Sequence, residues 1–188
     1  MPQHPDRRAV LADCGAASVQ AAIGDVVVRP AIATDAPALG RLGAMLVALH
    51  HGFDPARFIA AQDSTARGYG AYLDSQRKWP DVLVLVAVRG AVVLGYAYGA
   101  IEGTDFMALR GPAGVLYDLM VDPAHRRQGV GRMLLDAVRA YFVARGAPQM
   151  LLMTATANTP AQRLFAAAGL RPTMIEMTAD LRGDPPRR

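Results

Sequence analysis

The chain has 188 residues, 52% hydrophobic and 19% charged, which fits one domain with an ample core and excludes a disordered polar chain. A single cysteine, Cys14, excludes an internal disulfide framework and a Cys-based zinc site. The formal charge is +4, but all basic residues except Lys78 are Arg, a balance that argues against coating of nucleic acid and for forked contacts to phosphate.

In chain order, residues 1–24 mix Pro, Arg, Asp, Gly and Ala without a sustained apolar period, and read as a flexible leader with a short helical stretch around Ala16–Ile23. Asp6 and Asp13 interrupt this stretch, so it does not read as a secretion signal. Val26–Val28 is a first strand. Thr34 or Asp35 caps a helix whose Leu39, Leu42, Leu46 and Leu49 recur at spacings of three and four. Phe53–Gln76 reads as mostly helical, broken near Gly68 and Gly70. Val82–Val88 and Ala91–Ile101, joined by Arg89-Gly90, read as a β-hairpin. Val115–Val121 is the next strand, and Gly131–Arg145 a helix stopped by Gly146 and Pro148. Gln149–Thr154 reads as a strand, Thr159–Ala168 as a helix ended by Gly169, and Thr173–Leu181 as a last strand. Residues 25–181 would then form one α/β domain, with a mixed sheet and helices on both faces, and 182–188 a loose tail. The longest charge-free apolar stretch of that domain, Ala91–Ile101, is far short of the roughly 18 residues that cross a membrane, so the expectation is a soluble, cytoplasmic protein.

The segment Leu119–Gly131 carries the chemistry. A strand ends at Val121, Asp122-Pro123 turns the chain, and Arg126 and Arg127 precede Gln128-Gly129-Val130-Gly131 at the mouth of a helix. Amides at a helix N-terminus lack partners and sit at the positive end of the dipole, which makes an anion site. Glycine lets a bulky phosphate approach the backbone. Five Arg against two Asp between Asp122 and Arg145 leave a local charge of +3. Two readings stand at this level: a phosphate-bearing ligand, or a well-capped surface helix with solvated Arg.

Arg126-Arg127-Gln128-Gly129-Val130-Gly131 resembles the R/Q-x-x-G-x-G/A signature of the GNAT acyltransferase superfamily, and Leu119, Val121 and Pro123 match the strand before it. Asn158 to Leu170 resembles the second motif of that family, N-x-x-A-x-x-L-Y-x-x-x-G-F, with Ala161, Leu164 and Gly169 in register. The resemblance covers Val26 to Leu181. It implies a twisted sheet splayed at the fourth and fifth strands, with the thioester of acetyl-CoA in the gap. Leu119, Met120 and Val121 would bind the pantetheine arm through backbone groups. Amides from Arg127 to Arg132, beside Arg126, would hold the pyrophosphate. Asn158, Ala161 and Phe165 would line the opposite side. No metal is implied, and the reaction is direct attack of a primary amine on the acetyl carbonyl. The acceptor reads as a small molecule, with a protein or peptide acceptor as the alternative, and a homodimer is left open.

An alkylamine is mostly protonated at pH 7, at a cost of about 4.6 kcal/mol for presenting the neutral form. Asp118 is the nominee for base, against a structural Asp that bonds the next loop. An ordinary Asp, near a pKa of about 3.9, needs burial or a relay water to serve. Relatives place Tyr where Phe165 stands, and its hydroxyl can protonate the departing thiolate. Here Tyr117 or a water does this, the step goes unassisted, or the protein is an acyl-CoA sensor. His50 and His51 read as following the first helix, in the region where relatives bind acceptors, or as a solvated helix end. Glu102 either lines the acceptor pocket or faces solvent.

Overall fold

The computed structural model describes residues 21–23 and 25–181. The elements are β1 (Ala21–Ile23), β2 (Val26–Pro30), α1 (Ala36–Phe53), α2 (Thr65–Gln76), β3 (Val82–Arg89), β4 (Val92–Glu102), β5 (Ala113–Val121), α3 (Val130–Ala144), β6 (Met150–Leu152) and α4 (Thr159–Ala167), with 3₁₀ turns at Ala33–Asp35 and Pro123–His125. The strands lie in sequence order in one six-stranded sheet. Every neighbouring pair is antiparallel except β5 and β6.

Both faces of the sheet are covered, which is why β3 is an unbroken apolar run. Leu83, Leu85 and Ala87 of β3 pack with Leu134, Leu135, Val138 and Phe142 of α3. Val84, Val86 and Val88 point the other way, onto Leu39 and Leu42 of α1 and Leu73 of α2. Seven residues of α3 are buried, and Val130, Met133, Leu134, Ala137 and Val138 among them follow the spacing of one helix face. α1 and α2 touch backbone to backbone: a Cβ on Gly70 would lie 2.4 Å from the Ala36 carbonyl oxygen.

The expected α/β domain with a mixed sheet and helices on both faces is present. Several local expectations change. Ala21–Ile23 is a strand paired with β2, not part of a helix, and it makes the splayed pair the fifth and sixth strands. The rest of the expected leader up to Gln20, Gly24, and the tail at 182–188 lie outside the described residues. α2 runs through Gly68 and Gly70 without a break, because close packing at Gly70 outweighs its poor helix propensity. The interruption comes earlier: α1 ends at Phe53, where Asp54 turns its carboxylate onto the amides of Ala56 and Arg57. His50 and His51 therefore sit in the last turn of α1 rather than after it. The fifth expected strand shortens to Met150–Leu152. Thr173–Leu181 forms no strand, and Met174, Ile175, Met177 and Leu181 are exposed. Met174 and Ile175 are adjacent, so an extended chain would turn them to opposite faces and offer the sheet no single apolar side.

Asp35 stands at the N-cap of α1, but its carboxylate bonds none of the helix amides; it accepts from both terminal Arg29 nitrogens at 2.7 and 3.0 Å and from the Ile32 amide at 2.8 Å. Burial pushes this carboxyl up, but Arg29 and the Ile32 amide outweigh it and hold it below the usual carboxylate range. A depressed pKa stabilises the fold above the ordinary value and loses that contribution as pH falls through the lowered one. Asp35→Asn should cost about 2 kcal/mol in urea unfolding at pH 7, because it leaves a guanidinium half-paired at the end of β2. The difference from wild type should be complete above the ordinary value of 3.8 and shrink below it. A constant difference down to pH 2.5 would show that charge plays no part.

Candidate active site

β5 meets β6 only where Gly114–Leu116 pair with Met150–Leu152. Beyond Leu116, β5 stays bonded to β4 while its other edge has no strand beside it among the described residues. A cleft of about 760 Å³ opens at this edge, and Tyr117, Asp118, Leu119, Met120 and Val121 all line it.

One end of the cleft is built for an anion. Asp122 bonds back to the Ala124 amide at 3.0 Å and pairs with Arg41 of α1 at 2.6 Å, which ties the following loop to the opposite helix. The loop is left-handed at Arg127 (φ +60°) and again at Gly129 (φ +82°). Among the described residues beyond its own loop and helix, no heavy atom lies within 4 Å of where a Gly129 Cβ would stand, so the space beyond it is open. The first i→i−4 bond of α3 runs from Met133 to Gly129 at 3.0 Å, which leaves the amides of Val130, Gly131 and Arg132 at the open end of the helix.

Arg126, Arg127, Gly129, Gly131 and Arg132 line this end, whereas the side chains of Gln128 and Val130 do not. Gln128 accepts from Arg89 at 3.3 Å, and Val130 is buried in the core, so any contact of these two to a ligand is through the backbone. Arg132 bonds Asp136 at 2.8 Å and the Ala167 carbonyl at 3.2 Å, while Arg139 reaches the Ala168 carbonyl at 2.6 Å. Two Arg of α3 thus clamp the C-terminal end of α4. Gly131 is a packing glycine as much as a phosphate one, since its Cβ would lie 3.3 Å from Leu164 of α4.

α4 forms the far wall. Asn158 accepts from the Ala161 amide at 3.3 Å and so caps the helix whose Ala161 and Phe165 face the cleft. Phe165 is buried against the α3 core and carries no proton to give.

The middle of the cleft depends on a bulge. Tyr98 pairs with Asp118 and Gly99 with Leu116, so Tyr117 is the extra residue. Through it, Tyr117 and Asp118 both turn toward the face of α1 and α2. The Tyr117 ring lies 4.9 Å from that of Tyr98, but its hydroxyl hydrogen goes to Glu102, which also holds Arg110. Burial and this bond push the Tyr117 phenol well above its ordinary value. Asp118 Oδ2 accepts from Tyr69 at 2.5 Å and from Tyr96 at 3.0 Å, and burial pushes its carboxyl above the ordinary range despite those hydroxyls and His50. Sequence reasoning missed both tyrosines. The period-two pair Tyr96 and Tyr98 on an otherwise aliphatic strand was the available signal.

Among the described residues there is no group of three His, Cys, Asp or Glu that could hold a metal ion, and no helix long and apolar enough to cross a membrane.

Residues 48–170 match the acetyltransferase (GNAT) family. The mycothiol acetyltransferase of Thermobispora bispora is 34% identical over 99 residues, half of this chain and 32% of that protein. That of Clavibacter michiganensis is 42% identical over 80 residues, 39% of this chain and 25% of that protein. The chain thus spans a third or less of the length of these two curated relatives. Among solved structures, a mutant of the BH1408 protein from Bacillus halodurans superposes with a TM-score of 0.71 at 20% identity, covering 82% of this chain and 98% of that one. Aminoglycoside N-acetyltransferase AAC(6')-Iy in complex with CoA gives 0.62 at 20%, covering 84% and 95%. With the family matched across the split strands, the loop and α4, this chain belongs to the GNAT acetyltransferases, a family of acetyl-CoA-dependent acyltransferases.

Proposed function

We propose that residues 25–181 act as an N-acetyltransferase that moves the acetyl group of acetyl-CoA to the primary amine of a small molecule. The observation that carries this reading is the conjunction, in one cleft, of an unpaired β5 edge, an open helix N-terminus and a half-buried carboxylate. The open space at Gly129 and the bare amides of α3 suit a pyrophosphate, and the β5 edge from Leu119 to Val121 suits the amide groups of a pantetheine arm. Acetyl-CoA would supply the activated acyl group. Arg126 and Arg127 would add charge to the diphosphate site, Ala161 and Phe165 a close wall, and Asn158 and Arg132 the position of α4. Mycothiol and aminoglycoside acetyltransferases among the relatives and neighbours support a small-molecule acceptor. Use of acetyl-CoA supports a cytoplasmic reaction, and a homodimer is compatible with it.

Asp118 would accept the proton that the amine must lose. A raised pKa makes it a stronger base than an ordinary Asp. Phe165 supports a second reading, a sensor that binds acyl-CoA without turnover. Release of free CoA thiol on addition of amines separates the two.

Four substitutions test this reading. Gly129→Val should weaken CoA binding at least about tenfold by calorimetry, through lost access and a strained left-handed backbone; unchanged affinity would move the anion site elsewhere. Asp118→Asn should lower kcat/KM about 100-fold at pH 7 and recover in part at high pH, where more amine is neutral. Wild type should lose kcat/KM as pH falls through the raised Asp118 value, and the variant should lack that step. Phe165→Tyr should leave CoA affinity within about twofold, since the rings share a shape. Tyr117→Phe should change turnover by less than about threefold, because that hydroxyl is bonded to Glu102; a loss near 100-fold would make Tyr117 the acid.

A further inference from the structure

The two ends of the cleft differ in chemistry. Arg126, Arg127 and Arg132 gather at the end of α3, while the opposite end lies between α1 and the segment after it. That end is walled by Leu46, Leu49, Phe53, Phe58 and Ile59, with Asp118 at its floor as the only carboxylate among the described residues that lines the cleft. The nearby acids are committed elsewhere. Asp54 holds the amides of Ala56 and Arg57, Glu102 holds Tyr117 and Arg110, and Glu176 pairs with Arg57. Arg57 itself lies over the Phe58 ring at 5.0 Å. His50 turns Nδ1 to the Leu46 carbonyl at 2.9 Å and sets its ring edge-on to Phe53 and Phe58 at 5.8 and 5.1 Å. Ile59, at the mouth, is 77% exposed, an apolar side chain with little packed on it.

We infer that the acceptor is a primary amine with a single ammonium, carried on a small apolar or aromatic body, and that Phe58, Ile59 and the end of α1 select it against polycations and polyhydroxylated amines. This rests on the transferase reading above. One ammonium finds one carboxylate, Asp118. A second or third ammonium of a polyamine or aminoglycoside would lose its water against Leu46, Phe53 and Phe58 without an acid to meet it. An apolar body instead removes its own surface and that of Ile59 and Phe58 from water. In the reaction the ammonium gives one proton to Asp118, and the neutral nitrogen bonds to the acetyl carbonyl carbon as the C–S bond breaks. The nitrogen then gives its second proton to water, and the departing sulfur takes one proton from water, leaving an amide and free CoA thiol.

The experiment measures thiol release with saturating acetyl-CoA and four amines: 2-phenylethylamine, glucosamine, spermidine and kanamycin. In parallel, 2-phenylethylamine is titrated calorimetrically into the CoA-saturated protein. The expected result is a kcat/KM for 2-phenylethylamine at least about tenfold above the other three. Ile59→Ser and Phe58→Ala should each raise its KM and weaken its calorimetric affinity about tenfold, with kcat changed less than about threefold. Ile59 is exposed, so its replacement leaves the fold intact. Turnover of spermidine, kanamycin or glucosamine at an equal or higher kcat/KM overturns the inference and leaves the transferase reading standing. Unchanged affinity for 2-phenylethylamine in both variants also overturns it. CoA binding without turnover of any amine overturns the inference and the transferase reading together, while loss of CoA binding in wild type refutes the cosubstrate itself.

Discussion

The whole site depends on one constraint: half of β5 must go without a neighbour. A backbone edge inside a protein is costly unless its N–H and C=O groups find partners, and water or a bound amide chain must supply them here. The chain enforces the gap in two ways. β6 is only three residues long, and the segment after Leu152 leaves the sheet to start α4. The bulge at Tyr117 then re-aims β5 just where pairing with β6 stops. Had β6 continued alongside β5 to Val121, the sheet would be better satisfied and the cleft would not exist.

Charge is used economically around that gap. Asp122 is held below the usual carboxylate range, chiefly by Arg41, and this ion pair ties down the loop before α3. Arg132 and Arg139 are spent on the end of α4, which keeps that wall at the right distance from the gap. The anion site is therefore left mainly to backbone amides with Arg126 and Arg127 beside them, an arrangement that reads phosphate by geometry as well as by charge. Asp118 is treated in the opposite way. Its two partners are neutral hydroxyls, which orient the carboxylate without cancelling its charge, and its pKa rises where those of Asp35 and Asp122 fall.

What could be read beforehand was local. The turn at Asp122-Pro123, the glycines and the motif from Asn158 to Leu170 are patterns of neighbouring residues, and α3 shows its apolar face in its own spacing. Helices on both faces of the sheet followed from the alternating order of strands and helices. The misses are those where a distant partner decides. Gly70 breaks a helix on paper and joins two helices in the fold, because Ala36 is its neighbour. Thr173–Leu181 has strand-forming residues but no single face to bury. Asp118 was visible as an acid on a strand, but Tyr69 comes from α2, and no spacing between the two announces the contact.

That contact bears on the choice between base and structural aspartate. A structural Asp serves best when charged groups hold it, as Arg29 holds Asp35 and Arg41 holds Asp122. Asp118 is held by phenols, and burial pushes those phenols above their ordinary values, so they keep their hydrogens and cannot neutralise it by transfer. Both bond the same oxygen, Oδ2. A carboxylate fixed at one oxygen, destabilised by burial and lining a cleft is under-satisfied, and a proton or a cation is what relieves it. An ammonium supplies both: it first pairs with the carboxylate, then surrenders a proton to it. The same deficit that makes Asp118 a poor structural element makes it suited to receive and deprotonate an amine.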